Sequence, residues 1–373
     1  MFAVEIKNHL TDNLIPFWKQ LKDDEYGGYY GYSDFGHNID KQYEKGCILN
    51  SRILWFFSTC AYFTDDKECI AYAKQAYDFL KDSFIDKEYG GVYWSVTYDG
   101  KPLDTTKHTY CQAFAIYGLA AYYKVSGDEE SLRIANDLVL IIEEKCRDNA
   151  GYLEAFNNDF TPASNEKLSE NGVMAERTMN TLLHVYEAYT GLYEAAKSEY
   201  IADRLKEMLI IFKAKMYNPQ KHRQEVFFDR NYKPLIDLIS YGHDIETAWL
   251  LDRGMEVLGE ESIKKEYAGM TSDLAQNILH NAFDGRSLAQ ECEDGAVNED
   301  RVWWVQAEAV NGFINEYLKD PAQKEYKDAA LAEWDYIKEN VIYKDGGEWY
   351  NQLDKTGRPY GNKPVAGPWK CPY

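Results

Sequence analysis

The alternation of apolar and polar positions divides most of the chain into a repeating unit. Short stretches rich in glycine and aromatic residues return about every 60–75 residues. Six of them are visible, at residues 26–30, 89–94, 150–155, 224–229, 285–290 and 346–350. Several run through a turn into a second polar and aromatic segment, as at Tyr98-Asp-Gly-Lys101. Because Asp-Gly between such segments is a hairpin signal, each unit is predicted to begin with a short β-hairpin.

Two segments of helical length follow each of the first five hairpins. The first is aromatic and rich in small residues, at 51–63, 109–124, 175–197, 244–258 and 302–319. The second is more charged, at 67–84, 129–146, 199–216, 261–282 and 322–341. Its apolar residues recur at intervals of three and four, as at Leu132, Ala135, Leu138 and Val139, which predicts amphipathic helices. One unpaired amphipathic helix is predicted at 4–21, and a sixth inner helix is expected to begin within 367–373.

The joints between the predicted helices carry terminating and capping residues. Gly127 is expected to end one helix, and Asp128 to cap the next. Asp320 is expected to cap a helix that has Pro321 at its first position. These joints support the division of each unit into two helices.

Twelve helices in this order predict an all-α fold, an (α/α)6 barrel, which is a closed ring of six helical hairpins. The polar helices form the outside, the aromatic and small-residue helices form the inside, and the short β-hairpins lie in the loops at one end. We expect a single domain over residues 1–373, although this length also permits two domains. An open solenoid is the structural alternative, but neither terminal segment resembles the polar capping repeat that a solenoid requires.

Composition narrows the classes of partner. Aromatic residues make up 15% of the chain, with 31 Tyr and 9 Trp, and such rings suit stacking on carbohydrate. A formal net charge of −21 argues against nucleic acid or an anionic membrane as a partner. No apolar stretch approaches the ~20 residues that span a bilayer, no secretory leader is evident, and the seven cysteines are scattered. We therefore expect a cytoplasmic, monomeric protein with reduced thiols.

The junctions between hairpins and inner helices are expected to surround one cavity, because they all lie at the same end of such a barrel. Taken singly, the residues there have ordinary structural explanations, such as an ion-paired Arg52 or a polar seam of Asn180 and His184. Taken together, they describe an aromatic pocket with a few convergent polar groups, which is typical of a small-molecule site. The candidate residues are Arg52, Tyr110, Asn180, His184, His243, Glu246, Trp303, Trp304, Glu308 and Trp369.

The titratable residues of this set suggest a reaction class. Two imidazoles suit proton transfer at carbon near neutral pH, and Arg52 can stabilise an oxyanion that develops next to that carbon. Glu246 and Glu308 would instead support inverting glycoside hydrolysis, which uses two carboxyl groups. His243-x-x-Glu246 also has a metal-like spacing, but no third ligand lies nearby in the sequence. We expect no metal and no cofactor, since a P-loop and a G-x-G-x-x-G motif are both absent.

Six ordered motifs resemble those of a known family. They lie at 51–55, 107–118, 175–187, 240–246, 301–309 and 367–373, and the likeness covers nearly the whole chain. The chain resembles the N-acylglucosamine 2-epimerase superfamily, and most closely its cellobiose 2-epimerases. The resemblance implies an (α/α)6 barrel. It also implies epimerisation, without metal or nucleotide, at C2 of the reducing-end glucose of β-1,4-linked disaccharides. Cellobiose would become glucosyl-mannose and lactose would become epilactose, through ring opening, a cis-enediolate and reprotonation.

The same resemblance implies roles for individual residues. His243 would be one of two general acid/base histidines, and Trp303 or Trp304 would stack on the sugar together with Trp369. Arg52, Asn180 and His184 would hold the oxygens of C1 to C3, with Tyr110 and Glu246 in support, and Glu308 would orient the substrate. The catalytic set is thus predicted as His243, His184, Arg52 and Glu246. In this family the last motif continues into the second acid/base histidine, which is expected here just beyond Tyr373, so that the last inner helix is expected to be incomplete.

Three other functions fit the same residues. An aldose–ketose isomerase would return the proton to C1 and not to C2. An inverting glycosidase would release free glucose from cellobiose. A non-catalytic barrel would bind the sugar and leave it unchanged.

Overall fold

The computed structural model describes residues 2–64, 66–169 and 171–372. An N-terminal pair, α1 (Phe2–His9) and α2 (Ile15–Gln20), is joined by a π-helical turn at Leu10–Leu14. The inner helices are α3 (Cys47–Thr64), α5 (Thr109–Ser126), α7 (Met179–Ala195), α9 (Tyr241–Leu258) and α11 (Trp303–Lys319). The outer helices are α4 (Lys67–Phe79), α6 (Glu129–Lys145), α8 (Glu199–Ile211), α10 (Glu261–Asn281) and α12 (Lys324–Tyr336). Further π-helical turns, at Leu80–Phe84, Phe212–Met216 and Ile337–Val341, follow α4, α8 and α12.

The inner helices form the centre of the molecule. Each packs against the next, in the order α3, α5, α7, α9 and α11, and each also packs against the outer helix that follows it. Helix α5 has buried residues around most of its circumference, as expected of a helix that is apolar on all sides. Helix α6 buries mainly one stripe that includes Ile134, Leu138 and Ile142. The two predicted classes of helix are confirmed.

Glycines let the inner helices approach each other closely. A Cβ atom on Gly118 of α5 would lie 2.6 Å from the carbonyl oxygen of Ser51 in α3. A Cβ atom on Gly254 of α9 would lie 2.2 Å from the hydroxyl of Tyr186 in α7. Neither position accommodates a side chain without a shift of its neighbour, which explains the small-residue content of the inner segments.

Short strands connect each unit to the next. Strands β1 (Lys45–Gly46), β4 (Lys107–His108), β8 (Arg177–Thr178), β12 (Leu238–Ser240) and β15 (Arg301–Val302) each lead directly into an inner helix. They pair antiparallel with β2 (Ser95–Val96), β7 (Ala155–Phe156), β11 (Phe227–Phe228), β13 (Glu291–Glu293) and β16 (Gln352–Leu353) of the following unit. The remaining strands are β3 (Pro102–Asp104), β5 (Arg147–Asp148), β6 (Gly151–Tyr152), β9 (Tyr217–Asn218), β10 (Arg223–Gln224) and β14 (Ala296–Asn298). The pairing therefore gathers the N-termini of the inner helices at one end.

An ion pair recurs at this end. An aspartate that opens a hairpin binds a lysine or arginine two residues before the next inner helix, in the pairs Asp23–Lys45, Asp86–Lys107, Asp148–Arg177 and Asp284–Arg301. The same aspartates accept backbone N–H groups of their own turns, as Asp86 does from Glu88 and Tyr89. In the fourth unit the corresponding residues are Asn218 and Ile239, which cannot form this pair. The ion pairs fix the hairpins against the inner helices.

The first and last parts of the chain are in contact. Trp18 donates from its indole nitrogen to Glu348 at 3.0 Å, and Ser33 forms an antiparallel bridge with Ala366. Near the N-terminus, Glu5 accepts a hydrogen bond from the indole of Trp334. These contacts favour the predicted closed ring over an open solenoid, whose ends would lie apart.

Helix boundaries show where the sequence-based predictions hold and fail. Gly127 ends α5 in the left-handed region, with φ of 69°, and Asp128 caps α6 as predicted. The prediction that Asp320 and Pro321 open a helix is wrong, because α12 begins at Lys324 and Asp320 instead accepts a backbone bond within the preceding turn. Residues 367–372 are not helical, and the acid/base residue expected beyond Tyr373 lies outside the described residues. No helix in the described part of the chain is long and apolar enough to cross a membrane.

Candidate functional site

A cavity of about 270 Å³ opens at the end where the inner helices begin. Nine of the ten predicted site residues line it, namely Arg52, Tyr110, Asn180, His184, His243, Glu246, Trp303, Trp304 and Trp369. Glu308 is not among the lining residues. It is 1% exposed and accepts a hydrogen bond from the indole nitrogen of Trp249.

The inner helices supply two layers of residues at the site, one helical turn apart. The second residue of four inner helices supplies the outer layer, with Ile48, Tyr110, Asn180 and Trp304. The sixth residue of each inner helix supplies the deeper layer, with Arg52, Phe114, His184, Glu246 and Glu308. Because residues four apart lie on one helix face, equal starting points bring these side chains together. The site is thus formed by residues at equivalent positions of the repeated inner helices.

His184 lies in the deeper layer between a carboxylate and the cavity. Its Nδ1 is 2.8 Å from an oxygen of Glu187, one turn further along α7, and its Nε2 is 3.9 Å from Oε1 of Glu246. Burial lowers the pKa of His184, while the hydrogen bond and charge of Glu187 act in the opposite direction. The Tyr110 ring also packs nearly perpendicular to the imidazole, with centroids 5.1 Å apart. His184 is therefore a largely neutral imidazole whose added proton Glu187 would stabilise.

His243 is the third residue of the neighbouring inner helix, α9, and has a different environment. Its Nδ1 lies 2.6 Å from the hydroxyl oxygen of Ser240, and its ring is tilted against Trp304 at 4.7 Å. Burial lowers the pKa of His243 to about 3, and the charge of a protonated His184 acts in the same direction. His243 is therefore unprotonated at pH 7. A Cβ atom on Gly242 would lie 2.6 Å from the Trp304 ring, so the absence of a side chain at this position leaves room for the indole.

Arg52 brings positive charge to the same layer. Its guanidinium lies 4.2 Å from the centroid of the Phe114 ring, and the residue is 8% exposed. Burial raises the pKa of the Tyr110 hydroxyl, and the nearby charge of Arg52 only partly offsets this, so Tyr110 stays a neutral donor. A buried guanidinium beside a neutral hydroxyl is suited to stabilise an oxyanion.

Tryptophans form the walls of the cavity. Trp369 is half exposed and lies 6.1 Å from Tyr110 and 5.8 Å from Trp94. Trp303 is buried, and the ammonium of Lys370 lies 4.2 Å from its ring centroid. One face of Trp303 is therefore covered by Lys370, and Trp304 and Trp369 are the less buried rings of the cavity wall.

Some polar residues at the site were not predicted from the sequence. Glu187 follows His184 by three residues, a helical spacing that was a usable signal. Gln290 and Glu291 also line the cavity, but they come from a hairpin whose position depends on pairing with β12. Among the described residues, no group of three or more His, Cys, Asp or Glu side chains is placed to hold a metal ion, so the structure offers no third ligand beside His243 and Glu246.

Comparisons with known proteins identify the family. The model of the N-acylglucosamine 2-epimerase family matches residues 27–371. A cellobiose 2-epimerase from Ruminococcus albus is 47% identical over 374 residues, which cover 100% of this chain and 96% of that protein. The crystal structure of a sugar epimerase from a ruminal bacterium superposes with a TM-score of 0.98 at 46% identity, covering 100% of this chain and 96% of the other.

A more distant structure supports the fold. A D-mannose isomerase superposes with a TM-score of 0.84 at 20% identity and covers 98% of this chain and 94% of its own. The family match and the full-length relatives carry the assignment. The protein is an (α/α)6-barrel member of the N-acylglucosamine 2-epimerase family.

Proposed function

We propose that this protein is a carbohydrate 2-epimerase that inverts C2 of the reducing-end glucose in β-1,4-linked disaccharides such as cellobiose and lactose. The observation that carries the proposal is the pair of imidazoles, His184 and His243, facing one cavity beside the guanidinium of Arg52. Full-length relatives named as cellobiose 2-epimerases supply the substrate class.

The reaction begins when the pyranose ring opens and exposes a carbonyl at C1. This carbonyl acidifies the proton on C2. His243 is unprotonated at neutral pH, and it removes that proton as general base. The product is a cis-enediolate, whose negative charge Arg52 stabilises from the deeper layer.

Inversion requires a proton to return to the opposite face of C2. The planar intermediate rotates about the C2–C3 bond and is reprotonated by a second acid, which the family resemblance expects after Tyr373 and outside the described residues. Asn180 supports binding of the intermediate, because its side-chain oxygen is buried and has no hydrogen-bond partner among the described residues. This oxygen accepts a sugar hydroxyl, while Trp304 and Trp369 stack on the rings.

One experiment separates the proposal from the alternatives. Purified protein is incubated with cellobiose and followed by NMR, and glucosyl-mannose is the expected product. A ketose product would indicate an aldose–ketose isomerase, free glucose would indicate a glycosidase, and an unchanged spectrum would indicate a sugar-binding protein. Each of these three results contradicts epimerisation at C2.

A variant tests the role of His243 directly. His243→Ala is expected to lose at least about 100-fold in kcat, since general acid–base catalysis contributes about 10²–10⁴-fold. His280→Ala, on the exposed face of α10, is the matched control and should keep full activity. Circular dichroism checks that both variants are folded. Retained turnover in folded His243→Ala would remove His243 from the catalytic pair.

A further inference from the structure

The two imidazoles of the cavity are held by chemically different partners. His243 has the hydroxyl of Ser240 at its Nδ1, and a hydroxyl either donates or accepts. His184 has the carboxylate of Glu187 at its Nδ1, 2.8 Å away, and an ionised carboxylate only accepts. The Nδ1 of His184 therefore carries a proton in the neutral ring, and its Nε2 is the nitrogen that accepts.

Glu187 is itself held in place. It lies on α7 one turn beyond His184, and only 15% of its side chain is exposed. The hydroxyl of Tyr117, on the neighbouring inner helix, helps to lower the pKa of the same carboxyl group, and the Tyr117 ring stacks on Trp55 at 5.4 Å. Burial raises the pKa of the Glu187 carboxyl, but the hydrogen bond from His184 and the nearby positive charge of Arg52 act in the opposite direction, and that pKa lies below its ordinary value. Glu187 is thus a fixed carboxylate.

We infer that Glu187 is a positioning residue that keeps neutral His184 as the Nδ1–H tautomer, presents Nε2 to a hydroxyl of the sugar, and stabilises the imidazolium that forms there. The inference rests on the proposed function, because it assigns His184 to ring opening. The two imidazoles then have different roles. His184 exchanges a proton with oxygen, and His243 exchanges a proton with carbon.

The ring-opening step balances without any co-reactant. The anomeric hydroxyl gives its proton to Nε2 of His184, and the electron pair of that O–H bond forms the C1 carbonyl. The bond between C1 and O5 breaks, and its electrons go to O5. The imidazolium then returns the proton to O5. The hemiacetal becomes an open aldehyde, His184 is restored, and Glu187 stays a carboxylate throughout.

Nitrogen NMR tests the tautomer on the unsubstituted full-length protein. Histidine labelled with ¹⁵N distinguishes a protonated ring nitrogen from an unprotonated one, and comparison with His184→Asn assigns the signal. At neutral pH, His184 is expected to show a protonated Nδ1 and an unprotonated Nε2. The opposite tautomer would overturn the inference, and this result needs no variant of Glu187 to fold.

Kinetics with cellobiose test whether the carboxylate of Glu187 contributes to turnover. Glu187→Gln removes the charge with little change in shape, and we expect kcat to fall at least about tenfold while KM changes less than about threefold, since part of a general acid–base contribution is lost. Glu194→Gln is the matched control on the same helix. Its carboxylate binds Lys124 and Arg253 and not a histidine, so kcat should be unchanged.

The two hypotheses fail in different ways. If the proposed epimerase function is wrong, the unsubstituted protein leaves cellobiose unconverted at C2. If the inference about Glu187 is wrong, the unsubstituted protein epimerises cellobiose and either His184 shows the Nε2–H tautomer or Glu187→Gln retains full kcat. A purely structural role for Glu187 would lower the amount of folded protein without changing kcat per folded molecule.

Discussion

Asp244 is a buried carboxyl group directly beside the candidate base, and we expect Asp244→Asn to stabilise the protein. Asp244 is 1% exposed, its Oδ1 accepts two hydrogen bonds from Gln224, and its Oδ2 has no partner among the described residues. Gln112 and Gln306 occupy the same fourth position of their inner helices. Each of these amides both accepts from and donates to the backbone of its hairpin. The fold therefore accommodates an amide at this position of the repeat.

The size of the effect follows from the pKa. Burial raises the pKa of Asp244 to about 7 from its ordinary 3.8, against the hydrogen bonds of Gln224. A difference of about three pKa units corresponds to about 4 kcal/mol at most. The folded protein holds this proton up to about pH 7, while the unfolded chain releases it near pH 4. The free energy of unfolding therefore falls as the pH rises from about 4 to 7, and above that range the penalty is constant.

Urea denaturation at pH 5 and pH 8 measures this contribution. Asp244→Asn lacks the titrating group, so its advantage over the unsubstituted protein should grow by about 2–3 kcal/mol between the two pH values. Glu154, whose pKa burial also raises to about 7, titrates in both proteins and cancels from the difference. The same pH dependence in both proteins would refute the reasoning.

Two further substitutions test the packing of the cavity and the repeated ion pair. In Gly242→Ala, the new methyl group would meet the Trp304 ring at 2.6 Å and displace it from the cavity. Initial rates with cellobiose should then show kcat/KM reduced about 10–100-fold. An unchanged kcat/KM would remove Trp304 from the substrate site. In Asp23→Ala, the fully buried ammonium of Lys45 loses its carboxylate. Urea denaturation should show a free energy of unfolding lower by about 3–5 kcal/mol. A decrease below about 1 kcal/mol would contradict the buried ion pair.

The repeat was predictable from the sequence because each unit buries its helices in the same way. Inner segments are apolar on all sides and outer segments on one side, so the two classes, their order and the hairpins between them follow from composition and spacing. The boundary signal at Gly127 was also reliable, since a left-handed residue at a helix end favours glycine. The helix start predicted at Asp320 and Pro321 was wrong, because Asp320 caps a separate turn before α12.

The two-layer register of the site was not predictable. Helix α3 begins at Cys47, four residues before its predicted start, and α7 begins at Met179, four residues after its predicted start. The start of α7 is set by β8, whose pairing with β11 keeps Arg177 and Thr178 extended, and local sequence does not reveal such pairing. Because the starts of these inner helices could not be located from the sequence, it was not evident that the deeper-layer residues all occupy the sixth position of their helices. The role of Glu308 in orienting the substrate stays a prediction, since Glu308 does not line the cavity and accepts a hydrogen bond from Trp249.

Conversion of cellobiose in heavy water tests the central claim most directly. If a histidine exchanges the C2 proton with solvent through an enediolate, the glucosyl-mannose formed carries deuterium at C2, which NMR detects as loss of the H2 signal. The claim predicts epimerised product labelled at C2. Epimerised product that keeps its original hydrogen at C2 would contradict proton transfer by His243 and the mechanism built on it.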